Sequence, residues 1–377
     1  MHLKQDLLYL TLFTLIQVLP KIFQRFKIPS GITALFIGAF AIIFQPQLID
    51  DSLIKFLSQI GITSLFVFAG LEVDFKELYK DRVYLIKYLL SSILIIGVIC
   101  STIYYFFKVP LQESFILALG IFTPSAGFII NSIHSFELSS NQEYWVKSKA
   151  ISKEIVAIFL LFIALQANDI KMLLLSLSFF VVLFFLLPYL FRFFFRYISP
   201  YAPDSELPFL VVLSLLAGVL SKELGAYYLV GAFAVGIVAS QFKNKILKKD
   251  QEAIFSSLEN FFNIFLPFYF FYAGLKIIVS DISLKAVLVA ICFSLIFIPV
   301  RVFLIRIFLG GLQQKRKEST FNISLSLMPT LVFGLVIMSI LKERAILPSY
   351  LIYALIIYTI ITSLLPSIVF SFRNKEE

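Results

Sequence analysis

Charge is scarce in this chain. Asp, Glu, Lys and Arg make up 15% of its 377 residues, against about 25% in a soluble domain. With 60% hydrophobic residues, 44 Phe and a mean hydropathy of +0.94, the apolar surface is too large to hide inside one water-soluble globule. That class is excluded, and lipid is the expected solvent. Cysteine is nearly absent too. Cys100 and Cys292 lie in apolar runs, which argues against a disulfide framework or a metal-thiolate site. The histidines are His2 and His134, and there is no HExxH, GxSxG or P-loop. Hydrolysis within the membrane and ATP-driven pumping therefore lack their residues, no cofactor motif is present, and an enzyme is not expected. The formal charge of +9 raises nucleic acid as a partner. The basic residues instead cluster in short segments between apolar runs, as membrane topology requires.

What is abundant is long apolar runs. At roughly 20 residues per crossing of the hydrocarbon core, the chain reads as an all-α polytopic membrane protein of about 13 transmembrane helices. The spans fall near 6–25, 30–47, 53–73, 83–107, 113–136, 146–167, 171–195, 206–223, 225–242, 254–279, 284–309, 319–341 and 346–372. The run Leu7–Leu19 resembles a signal peptide, but no small-x-small cleavage site follows, so it reads as the first span. Loops after odd-numbered spans carry clusters such as Lys21/Arg25/Lys27, Lys76/Lys80/Arg82, Lys147/Lys149, Lys243/Lys245/Lys248/Lys249 and Lys315/Arg316/Lys317, and Arg373 and Lys375 follow the last span. Loops after even-numbered spans offer mostly single charges. This bias predicts an N-terminus outside and a C-terminus in the cytoplasm. No soluble regulatory domain is expected after residue 373, so a regulatory module would be a separate subunit.

The two halves of the chain resemble each other. Gly31…Gly38-Ala39-Phe40 recurs as Gly225…Gly231-Ala232-Phe233. LFVFAGLEV (65–73) recurs as FYFFYAGLKI, with Gly70-Leu71 on Gly274-Leu275, and Pro124 has a counterpart in Pro329. Each match joins a span to the one seven later, and an odd step reverses its orientation in the membrane. The expectation is two inverted six-helix repeats, residues 1–170 and 206–377, joined by span 7 in 171–205. Such repeats are typical of secondary transporters.

Pro124 and Pro329 fall mid-span, where proline removes a backbone donor and clashes with the carbonyl four residues earlier, here that of Gly120 or Leu325. In lipid, such loosened backbone is tolerated only where it faces protein or water. As a symmetric pair they predict two broken, crossing helices. Thr123, Ser125 and Thr330 place hydroxyls beside the breaks, hard oxygen ligands suited to Na⁺, Li⁺ or K⁺. Of the 23 acidic residues, Glu154 is the one well inside a span. An ionisable residue at that depth is a functional hypothesis by default: a carboxylate that holds either a proton or a transient metal ion. The plainer alternative is a structural ion pair with Lys153, although adjacent helical residues point about 100° apart. Lys153 either takes part at the site or snorkels back to the interface. Arg301, deep in span 11, either braces the unwound backbone or pairs with Glu154, and it cannot itself carry a proton across.

In order and spacing, these pieces resemble the monovalent cation:proton antiporter superfamily, in particular its Kef/Nap-like bacterial branch of sodium (potassium)/proton exchangers. The resemblance covers nearly the whole chain. It rests on Gly31…Gly38, GLEVDF (70–75), FTPS (122–125), SKEIVAI (152–158), LGAYYLVGAFAVGIVAS (224–240), FLPFYFFYAGLKI (265–277) and Arg301. It implies a homodimer in the cell (inner) membrane and a mobile six-helix core moving in an elevator-like way. It also implies that Glu154 is the exchange carboxylate, near Thr123-Pro124 and Pro329-Thr330. Two departures stand out. Relatives usually carry Asp preceded by Asp, Asn or Gln where this chain has Lys153-Glu154, and Thr330-Leu331 replaces the Arg-Gly often found at the second break. With one central carboxylate, the expected exchange is one-for-one and electroneutral, unless Lys153 releases a proton when the cation binds. The alternatives are an organic-solute carrier of related inverted-repeat fold and a membrane scaffold without transport.

Overall fold

The computed structural model describes residues 2–26, 28–74, 79, 82–136, 138–167, 169–202, 205–224, 228–242, 251–310, 317–344 and 346–373. Several sequence expectations lie outside these residues: the charges Lys27, Lys76, Lys80, Lys243, Lys245, Lys248, Lys249, Lys315, Arg316 and Lys375, together with Phe75 and Gly225 of the quoted motifs.

The described residues contain fifteen α-helices and no strand. They are α1 (His2–Gln24), α2 (Ser30–Phe44), α3 (Ser52–Leu71), α4 (Arg82–Phe107), α5 (Leu111–Phe122), α6 (Ala126–Ser132), α7 (Ser140–Gln166), α8 (Ile170–Phe193), α9 (Glu206–Glu223), α10 (Tyr228–Gln241), α11 (Gln251–Leu275), α12 (Leu284–Gly310), α13 (Lys317–Ser326), α14 (Leu331–Arg344) and α15 (Ser349–Arg373). Counting α5/α6 and α13/α14 as one interrupted span each leaves thirteen crossings. Eight segments are long and apolar enough to span a bilayer by themselves, among them Leu85–Phe107, Ile170–Ile198 and Leu284–Ile307. Large apolar side chains stand exposed along them, including Leu94, Val98, Phe185 and Leu295. With water outside, that surface would drive aggregation; with lipid outside, it is the natural face. The protein is an integral membrane protein.

Local sequence explains the helix starts. Pro29 and Pro110 precede α2 and α5 with extended backbone. Asp51 caps α3 by accepting from the Ile54 N–H at 2.9 Å. Asp169 caps α8 in the same way, accepting from Lys171 and Met172 at 2.9 and 3.2 Å. Each cap satisfies backbone donors that the first turn leaves open.

The chain forms two compact units, and each takes helices from both ends of the sequence. One comprises Met1–Val73 and Leu165–Ile277, the other Asp74–Ala164 and Ile278–Glu377. This division by packing is distinct from the division by repeats into 1–170, 171–205 and 206–377. In the first unit, α2 crosses α11 and α3 crosses α10, each crossing made tight by facing glycines. A Cβ on Gly38 would strike the Phe271 carbonyl, and one on Gly274 the Leu35 carbonyl. The second crossing repeats this with Gly70 against Phe233 and Gly236 against Val67. Small residues are what allow two membrane helices to approach backbone to backbone. Leu12, Ile16, Leu48, Ile54, Phe268, Phe271 and Leu275 form a buried cluster beside the α2–α11 crossing.

The second unit holds α4–α7 and α12–α15, with an interrupted span in each set. Here the structure corrects one boundary. Span 6 begins at Ser140, not near 146, so Lys149 is not a loop charge: it is 1% exposed inside α7. The early start carries Lys153 thirteen residues into the helix, about 20 Å of rise, and Glu154 to its middle.

Candidate ion site

Both interruptions are complete. α5 ends at Phe122, Thr123 and Ser125 are extended (φ −85°, ψ 122° and φ −95°, ψ 98°), and α6 begins at Ala126. Pro124 accounts for this. It has no N–H to give, and it disfavours helical backbone at the residue before it. The second span stops at Ser326 and resumes at Leu331, with Pro329 between. The two breaks meet: the Ser125 N–H donates to the Pro329 carbonyl at 2.9 Å.

Glu154 reaches the first break from α7. It is 1% exposed, and its Oε2 accepts from the Ala126 N–H at 3.0 Å. No ion pair to Glu154 occurs among the described residues. Lys153 points elsewhere, its Nζ 3.6 Å from the centroid of the Phe122 ring. At 4% exposure it does not snorkel to an interface.

Arg301 lies at the second break. Its guanidinium donates to the Leu327 carbonyl at 2.6 Å and to the Tyr358 hydroxyl at 3.5 Å, which braces unwound backbone at the second break. Pairing with Glu154 does not occur. Thr330, buried beside the same break, turns to α15: its Oγ1 lies 3.0 Å from that of Thr362 and 3.4 Å from that of Thr359.

Among the described residues of this unit, four hydroxyls are buried without a hydrogen-bond partner: Thr123 Oγ1, Ser125 Oγ, Ser326 Oγ and Ser363 Oγ. Buried polar atoms are almost always satisfied, and an orphaned hydroxyl costs about 1–3 kcal/mol. Three of the four flank the breaks, next to the residues that hold Glu154. A dehydrated monovalent cation needs such oxygens, and the carboxylate supplies the charge. No group of three or more His, Cys, Asp or Glu suited to a resident metal occurs among the described residues.

Sequence reasoning missed Ser326 and Ser363. Thr359, Ser363 and Ser367 recur every four residues along α15 and are all buried; that helical spacing of hydroxyls was the available signal. It also missed an ion pair between the buried Glu113 at the start of α5 and the partly exposed Arg344 at the end of α14, 3.5 Å apart.

Comparison with known proteins bears on the fold and the family. No curated protein matches the chain. Among solved structures, the sodium proton antiporter MjNhaP1 from Methanocaldococcus jannaschii at pH 8 superposes with a TM-score of 0.72 at 14% identity, covering 100% of this chain and 98% of that one. An electron-microscopy structure of the same antiporter gives 0.69 at 16% identity, covering 99% and 97%. At such identity these matches establish the fold. The family model for the transmembrane sodium/hydrogen exchanger spans residues 9–373, and by that match the chain belongs to the sodium/hydrogen exchanger family.

Proposed function

We propose that this protein exchanges a monovalent cation, Na⁺ or K⁺, for protons by alternating access, with Glu154 as the carboxylate for which the two compete. The observation that carries the assignment is a buried acid with no ion-pair partner among the described residues, held by the Ala126 N–H at a break whose hydroxyls are unpartnered. A protonated Glu154 is neutral and stable in a low-dielectric site. A bare carboxylate is not, so it takes up either a proton or a metal ion. Thr123 and Ser125, with Ser326, replace part of the water the cation leaves behind. Thr330 stands in a second layer through Thr359 and Thr362. Exclusive occupancy of one carboxylate makes the exchange one-for-one.

An inverted repeat supplies two conformations of similar energy. The helix crossings support it: exchanging α2 with α10 and α3 with α11 turns the Gly38–Gly274 contact into Gly236–Gly70. This pairs Gly38 with Gly236, five residues beyond the Gly231 selected by the sequence match. The breaks at Pro124 and Pro329 are related in the same way, within 1–170 and 206–377. The assembly in this proposal is a homodimer in the inner membrane, N-terminus outside and C-terminus cytoplasmic, open to a separate regulatory subunit.

The test is exchange in proteoliposomes under an imposed pH gradient, with Na⁺, Li⁺ and K⁺ compared for wild type and Glu154→Gln. Wild type acidifies or alkalises the lumen on cation addition, and the variant does not. Cation-driven proton movement that persists in Glu154→Gln rejects the site. Inert wild type under every cation makes the chain a scaffold, and uptake of an organic solute without Glu154 makes it a carrier of another kind.

A further inference from the structure

Two buried ammonium groups play no part in the exchange just described. Lys149 and Lys153 are 1% and 4% exposed and lie one turn apart on the same face of α7. Their Nζ atoms stand 4.0 and 5.8 Å from the centroid of one ring, that of Tyr88 on α4. Neither forms an ion pair or a hydrogen bond to an acceptor among the described residues.

No carboxylate pairs with either ammonium group among the described residues. α4 contains no Asp or Glu, nor does α12, which carries Arg301. Glu154, next to Lys153 in the chain, accepts from the Ala126 N–H and pairs with neither lysine, and Glu113 on α5 faces Arg344. Like charges one helical turn apart repel. Aromatic faces attract a cation, but they recover only part of what burying an ammonium costs. Discharging the lysines removes the repulsion but still leaves on each a neutral amine with two N–H donors and a lone pair to satisfy. One small acceptor lying between the two Nζ atoms satisfies both and cancels a charge.

We propose that Lys149 and Lys153 hold a monovalent inorganic anion of halide size between them, beside Tyr88 and Phe122. Chloride has this chemistry. Its single charge and modest hydration suit a site flanked by two ammonium groups, whereas sulfate and phosphate would surrender far more hydration than those groups return. The bound anion lowers the positive potential that an arriving cation meets, and it acts as a local counter-ion without being transported.

The experiment needs no transport, so its outcome is independent of the role of Glu154. The full chain in detergent is melted in chloride, bromide, sulfate and gluconate at equal ionic strength, and crystals grown in bromide are examined for anomalous scattering. Chloride and bromide are expected to raise the melting temperature over gluconate by about 2 °C at tenfold excess over Kd. Sulfate is expected to leave it unchanged. A bromide peak is expected between Lys149 and Lys153. Lys149→Gln should lose the shift and Lys149→Arg should keep it. If Lys149→Gln fails to fold, the bromide peak in wild type decides. Equal melting in chloride and gluconate overturns the proposal. So does a shift that sulfate matches, a shift that survives in Lys149→Gln, or bromide found only elsewhere.

Discussion

Ser125 is joined to Pro329 by a backbone hydrogen bond of 2.9 Å, so the residue that follows one helix-breaking proline is anchored on the other. Each break leaves main-chain groups without helical partners, and here one break satisfies part of the other. The two interruptions therefore behave as one body, and a disturbance at either reaches Glu154 through Ala126.

The orphaned hydroxyls separate an ion-binding role from a structural one. A hydroxyl that stabilises the fold lowers stability when removed. One kept for an absent cation does the opposite, because its burial is a cost of about 1–3 kcal/mol. Thr123→Val keeps the shape and deletes the hydroxyl, and Ser125→Ala does so with little loss of volume. Both are expected to melt at or above the wild-type temperature while the KM for the cation rises about tenfold, the effect of one lost ligand of about 1.4 kcal/mol. Melting curves and initial rates against cation concentration check this. Lower stability with unchanged KM would make the hydroxyls structural.

Arg301 tests whether the second break needs a fork or only a charge. Its two donors reach the Leu327 carbonyl and the Tyr358 hydroxyl, a two-point contact that the single ammonium of lysine cannot reproduce. Arg301→Lys keeps the charge and loses the bridge. The expected cost is about 1–3 kcal/mol of stability and a fall in turnover with little change in KM. If full activity survives in Arg301→Lys, charge alone is sufficient.

Much of this was legible in the sequence because membrane helices obey coarse rules. Apolar runs of a given length mark spans, and Pro124 and Pro329 advertise the breaks through chemistry that depends on no neighbour. Glu154 stood out for the same reason: an acid in a hydrocarbon setting is conspicuous alone. What escaped depends on partners distant in the chain. Lys149 was assigned to a loop because charges usually sit there; only the packing of α7 on Tyr88 shows it buried. The roles open to Arg301 were decided by where the Leu327 carbonyl happens to point. Gly38 matched Gly231 by local composition, while the crossings relate it to Gly236. No pattern along the chain reveals which glycine faces which.

The Glu113–Arg344 pair predicts an asymmetry. Glu113 has a side chain 3% exposed and Arg344 one of 25%. Removing the arginine strands a buried carboxylate, whereas removing the carboxylate leaves a guanidinium that can still reach water. Arg344→Gln should therefore destabilise by about 2–4 kcal/mol and Glu113→Gln by less. The double variant should lie nearer wild type than the sum of the singles. Thermal melting of the four proteins closes the cycle. Equal and additive losses would mean that the 3.5 Å contact carries no coupling.

The glycine crossings make the sharpest prediction about the scaffold, because the same substitution should have opposite outcomes at two sites. At Gly38 a methyl group meets the Phe271 carbonyl, with Leu275 N at 3.0 Å behind it. Backbone cannot rotate away as a side chain would, so α2 and α11 must separate. Gly38→Ala should cost about 1–3 kcal/mol or more, with Gly236→Ala alike against the Val67 carbonyl. At Gly97 on α4, nothing lies within 4 Å of the added carbon. Gly97→Ala gains helix propensity of up to about 1 kcal/mol and meets no obstacle. Melting temperature and monodispersity on size exclusion should fall for Gly38→Ala and Gly236→Ala together, and hold or rise for Gly97→Ala. If Gly38→Ala is tolerated as well as Gly97→Ala, the two helices are not held together by backbone contact at that crossing.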